Sequence, residues 1–84
     1  MNSKNRKTLE NIFSQPTKSD IKWSDIAALL VAVGAQMSEG EGSRVRFMKG
    51  TVKMTTHRPH PAKEAKPYQV ETARVFLKEL GVKP

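Results

Sequence analysis

The chain has 84 residues, 37% of them hydrophobic, no cysteine, and a formal net charge of +7 from 15 Lys+Arg against 8 Asp+Glu. That length allows one small domain with a modest core, and the absence of thiols excludes disulfides and any thiolate-held metal. So basic a surface draws polyanions, nucleic acid foremost.

The longest apolar run, Ile26 to Val33, is too short to span a bilayer. The N-terminal MNSKNRK carries no apolar signal core, and the cations do not line one face of a long amphipathic helix, which argues against a membrane surface. A soluble, cytoplasmic protein is expected.

Residues 1–20 read as an extension and linker, and residues 21–84 as the domain proper. Leu9, Ile12 and Phe13 have helical spacing behind a candidate Ser3 cap, which predicts a short helix over residues 4–14, ended by Pro16. A helix this short is marginal unless its apolar side docks on something. Trp23, Ile26, Leu29, Leu30 and Val33 form the stripe of a second helix, closed by Gly34, with Asp20 or Ser24 as its cap. Residues 35–38 predict a short strand, and Gly40-Glu41-Gly42 breaks it. Arg44 to Met48 and Thr51 to Thr56 alternate in polarity around Lys49-Gly50, which predicts a two-residue hairpin turn there. Val70, Ala73, Phe76, Leu77 and Leu80 stripe a last helix, with Pro67 in its first turn and Gly81 closing it. The expected fold is α+β, a two-layer α-β-β-β-α order with a short extra N-terminal helix.

Counting outward from Lys49-Gly50 pairs Met48 with Thr51, Phe47 with Val52, Arg46 with Lys53, Val45 with Met54 and Arg44 with Thr55. Val45, Phe47, Val52 and Met54 then face the helices, and Arg44, Arg46 and Lys53 emerge on the other side. Arg46 opposite Lys53 would be a like-charge pair that a phosphate could neutralise. Exposed cations also discourage edge-to-edge sheet pairing, so this pattern has a structural reading as well. Gly40-Glu41-Gly42-Ser43 could offer N–H groups to a phosphate, although it lacks the spacing of a P-loop. Trp23 begins an apolar stripe and reads as core rather than as a base-stacking platform; Tyr68 is open to either reading.

Both histidines of the chain fall in the stretch THRPHP, at positions 57 and 60. In one reading His57 and His60 ligate a metal with a carboxylate such as Glu64. In a second they make turn hydrogen bonds while the prolines set a bend. In a third an imidazole works on RNA, taking a proton from a 2′-hydroxyl or giving one to the leaving 5′-oxygen, while a nearby Arg stabilises charge on phosphorus. The third needs no metal and no cofactor, and the loop adjoins the basic hairpin.

The segments LLVAVGA, EGSRVRF, HRPHPAKE and FLKELGVKP, in this order over residues 21–84, resemble the HicA family of toxins. Gly42-Ser43 matches the family's glycine-serine entry into the second strand, and His60-Pro61 with Glu64 matches its histidine-proline and downstream glutamate. Residues 1–20 resemble the extension of one branch. The resemblance implies a double-stranded-RNA-binding-domain-like fold, an endoribonuclease acting on mRNA, and inhibition by a HicB-type antitoxin that would cover the basic face or the histidine. Members usually carry a catalytic histidine directly after the glycine-serine pair, where this chain has Arg44, and an arginine cannot serve as general base.

Two readings follow. The leading one is a toxin that binds mRNA and cleaves it without metal. It has His60 and then His57 as candidates for proton transfer, and Ser43, Arg44, Arg46, Lys53 and Arg58 as the RNA-binding set. The alternative is an RNA-binding module that has lost the family's catalytic histidine. Neither involves a membrane or a small-molecule cofactor.

Overall fold

A computed structural model describes residues 1–84. The chain runs α1 (Ser3–Phe13), α2 (Trp23–Ala32), β1 (Gln36–Glu39), β2 (Arg44–Lys49), β3 (Val52–His57) and α3 (Pro67–Glu79). This is the expected α+β order with the extra N-terminal helix. The sheet is antiparallel with β2 in the centre. One of its faces is buried: Val45, Phe47, Met54 and Thr56 join Ile26, Leu29, Leu30, Val70, Ala73, Phe76 and Leu77 of the helices in the core. No helix is long and apolar enough to cross a membrane.

The helix signals act where the sequence places them, with two shifts. Asn2, not Ser3, caps α1, its side chain accepting from the Asn5 N–H at 2.7 Å. Neither Asp20 nor Ser24 caps α2, whose N-cap residue is Lys22 without a side-chain cap. Its first turn is held instead by the chain preceding α3: the Trp23 N–H donates to the Lys63 carbonyl at 3.0 Å, and the Ala65 N–H to that of Ile21 at 2.8 Å. Gly34 ends α2 with φ +105, and the Lys49 ammonium donates to the Val33 carbonyl at 2.7 Å. Such a cation offsets the unsatisfied carbonyls of a helix C-terminus.

Residues 1–20 lie on the domain. Leu9 and Ile12 are buried in the same core cluster, and α1 packs on α2 and α3. Arg74 of α3 donates from Nε to the Ile12 carbonyl at 2.9 Å and from Nη2 to Thr17 Oγ1 at 3.1 Å. Lys4 pairs with Asp25 at 3.4 Å.

The hairpin register departs from the expectation. Gly50 and Thr51, not Lys49 and Gly50, form the turn, so Lys49 pairs with Val52, Met48 with Lys53, Phe47 with Met54, Arg46 with Thr55, Val45 with Thr56 and Arg44 with His57. The cause is backbone chirality. Lys49-Gly50 as central residues would demand positive φ at a lysine, whereas the observed turn puts its single positive φ, +62, on Gly50 in the first central position. The offset is two residues, so side-chain alternation is preserved and every residue keeps its expected face. The expected Arg46–Lys53 opposition does not exist: Arg46 faces Thr55 and Met48 faces Lys53, so the two cations are diagonal neighbours and form no like-charge pair.

Candidate nucleic-acid interface

Strand alternation and the register set out the second face of the sheet in rows. The first row is Gln36, Met48, Lys53; the second is Ser38, Arg46, Thr55; the third carries Arg44 and His57, with Gly40 beside Arg44. All of these residues are exposed and no helix covers them. The central strand therefore presents Arg44, Arg46 and Met48 in a column. β3 sets Lys53, Thr55 and His57 alongside.

Arg44, Arg46 and Lys53 make no ion pair within the chain; the two that exist are Lys4–Asp25 and Arg58–Glu39. Unpaired cations on a flat strand surface keep their full charge available to an outside anion. Ser38, Arg44 and Arg46 also border a shallow depression of about 210 Å³ at the β1–β2 end. Two guanidinium forks border it, the geometry that favours arginine over lysine for oxyanions, and the Glu39 carboxylate lines it as well.

The Arg44–His57 pair closes the third row. A two-residue hairpin loop makes Lys49/Val52 a hydrogen-bonded pair, and alternation then makes Arg44/His57 a non-hydrogen-bonded one. The hydrogen bond from the Arg58 N–H to the Ser43 carbonyl, 2.9 Å, lies one step beyond, as that alternation requires. Non-hydrogen-bonded pairs bring Cα atoms to about 4.5 Å and their side chains closest together. His57 and Arg44 thus oppose each other across the strands on the uncovered face.

The backbone behind His57 is fixed from the core side. Gln69, 4% exposed, donates from Nε2 to the His57 carbonyl at 2.7 Å and to Thr56 Oγ1 at 3.1 Å. Its Oε1 accepts the Lys66 N–H at 2.9 Å, which also caps α3. His60 lies in the loop beyond, exposed and off the sheet rows. His57, His60 and Glu64 do not converge into a three-donor metal site.

Arg58 does not stand with the other cations. One residue past His57, it points to the helix side, where its guanidinium pairs with Glu39 and lies 4.9 Å from the centroid of the Trp23 ring. Trp23, 8% exposed, is core as expected and packs against Phe47. Tyr68 is 57% exposed at the start of α3. Ser43 holds the sheet end through its carbonyl. Sequence reasoning missed Gln69, Thr55 and Glu39: a glutamine inside a helical stripe, a threonine in a strand and one acid among eight carry no local signal of their partners.

Residues 23–82 match the family model described as HicA toxin of bacterial toxin-antitoxin. The chain belongs to the HicA toxin family. No curated protein and no solved structure matches it. The matched span takes in the sheet, α2 and α3 and leaves α1 outside, as a HicA domain with an N-terminal extension would. Membership makes the chain a toxin of a toxin–antitoxin pair, which implies an antitoxin partner.

Proposed function

We propose that this toxin binds mRNA on the open face of its sheet and cleaves it as a metal-independent endoribonuclease, with His57 as the proton-transfer group. The observation that carries the reading is the third row: an exposed imidazole paired across the strands with Arg44, on a face whose other cations are unpaired. Arg44, Arg46 and Lys53 hold successive phosphates. The 2′-oxygen attacks the adjacent phosphorus as its proton leaves, forming a 2′,3′-cyclic phosphate and releasing the 5′-oxygen, which takes up a proton. His57 serves one of these transfers. Arg44 stabilises the negative charge that grows on the phosphoryl oxygens. Ser43 orients the entry to β2. A HicB-type antitoxin inhibits by covering this face.

His60 is the second candidate. It lacks both a place on the rows and a cation opposite, which ranks it behind His57. The test is cleavage of a defined mRNA by purified, antitoxin-free toxin in the presence of chelator. His57→Ala is expected to lower the rate by about 100-fold or more, the usual worth of a positioned acid or base, and His60→Ala by much less. Uncleaved mRNA, or full cleavage by the His57→Ala variant, would refute the assignment.

One observation favours a second reading, a toxin domain that grips RNA without cutting it: Arg44 follows Gly42-Ser43, and a permanently charged guanidinium binds phosphate but exchanges no proton. That reading predicts salt-sensitive RNA binding unaltered by loss of both histidines.

A further inference from the structure

The open face accounts for Arg44, Arg46 and Lys53 but leaves a second basic site unexplained. At the end of the sheet, on the helix side, a cleft of about 460 Å³ is lined by Lys22, Trp23, Arg58, Pro59, Pro61 and Lys63. Its size falls in the range of roughly 300–1,000 Å³ found for small-ligand sites. Three of these residues are cations, and Lys22 and Lys63 form no ion pair. The guanidinium of Arg58 is held over the edge of the cleft by the Trp23 ring on one side and the Glu39 carboxylate on the other. The walls are rigid: Pro59 and Pro61 fix one side, and the Trp23–Lys63 and Ala65–Ile21 backbone bonds clamp the two segments together.

We propose that this cleft is a nucleotide subsite for single-stranded RNA, taking the nucleotide next to the one whose phosphate lies at Arg44 and His57. The inference rests on the RNA-cleaving reading above and extends it to the path of the strand. His57 and Arg58 are consecutive residues turned to opposite faces, so a strand leaving the third row of the open face reaches Arg58 by passing round the end of the sheet. Lys22, Lys63 and Arg58 then receive the phosphate, as the basic grooves of single-strand binding sites do, and the faces of Pro59 and Pro61 receive the apolar plane of the base. A flexible single strand can turn that corner. A duplex, being stiff, can lie only on the open face.

Glu39 acts as an occupant of Arg58 until RNA arrives. Its carboxylate holds the guanidinium fork that a phosphate would otherwise engage, so the two anions compete for one cation.

The test is binding of full-length toxin, carrying His57→Ala to prevent cleavage, to a short unstructured RNA and to a duplex of the same sequence. Lys22→Ala/Lys63→Ala is expected to weaken single-strand binding about tenfold and to flatten its salt dependence by about one to two units of log–log slope. Duplex binding should change by less than about threefold. A charge-matched Lys7→Ala/Lys83→Ala variant, altered on α1 and the C-terminal tail, should change neither. Glu39→Gln should tighten single-strand binding severalfold more than Glu41→Gln, which removes the same charge from the neighbouring turn. A free mononucleotide that competes with the single strand in the unaltered cleft, and fails to compete after Lys22→Ala/Lys63→Ala, would place the site at the level of one nucleotide. No such competition would mean that only a continuous strand fills it, which still supports the subsite. Equal losses for single strand and duplex, or equal effects of Glu39→Gln and Glu41→Gln, would overturn the subsite while leaving the open face intact. Failure of the His57→Ala protein to bind either RNA would overturn both.

Discussion

Gln69 ties the core to the candidate site through a single side chain. It is buried, and its side chain makes three hydrogen bonds to two chain segments: the end of β3 at His57 and Thr56, and the start of α3 at Lys66. Leucine at this position would fill similar space but leave the Lys66 N–H and the His57 carbonyl without partners, and an orphaned buried polar group costs about 1–3 kcal/mol. Gln69→Leu should therefore lower Tm, by roughly 4–8 °C per kcal/mol in a domain of this size, and should reduce RNA cleavage beyond the loss expected from unfolding. An unchanged Tm would show that these bonds contribute nothing net. At this scale the sequence is a poor guide. Arg44, Arg46 and Lys53 could be assigned to a face by alternation alone, whereas Arg58, one residue beyond a strand of known alternation, finds its partner Glu39 nineteen residues away. Nothing local to either residue encodes that meeting.

Elements were more legible than their connections. The stripes of α2 and α3 declare their buried faces because a helix buried on one side must repeat its apolar residues at that period. The faces of β2 and β3 follow from period-two alternation, which survives any even slip. The register itself depended on which residue of Lys49-Gly50-Thr51 accepts a positive φ, a backbone property that hydrophobic patterning does not report. The turn offers a direct check. Gly50→Ala should destabilise the toxin by about 1–3 kcal/mol, and Thr51→Ala should stay within about 0.5 kcal/mol, as measured by denaturant unfolding. In the same protein, cross-strand Hα–Hα contacts should join Arg44 to His57 and Arg46 to Thr55. Contacts of Val45 with Met54 in their place would restore the other register and separate His57 from Arg44.

On the scale of the whole molecule, the fold divides its labour between two faces. All the helices gather on one side of the sheet, and α1, whose period suggested only a marginal helix, gains a dock from Arg74 and from the sharing of one core by Leu9 and Ile12. That docking could not be read from residues 1–20, because the groups that receive α1 lie on α2 and α3, and Arg74 is sixty-two positions from the Ile12 carbonyl it bonds. The opposite side is left bare, with cations that have no internal partner. Three of the fifteen cations thus share one uncovered surface. Strong charge without a direction would serve solubility alone; the rows of Arg44, Arg46, Lys53 and His57 give it a surface on which a phosphate chain can lie.

Mapping that surface tests the account most directly. RNA with the reactive 2′-hydroxyls removed, titrated into isotope-labelled toxin, should shift the resonances of Arg44, Arg46, Lys53, Thr55 and His57 while those of α1 stay in place. Shifts confined to the helical side, with the bare face silent, would contradict it.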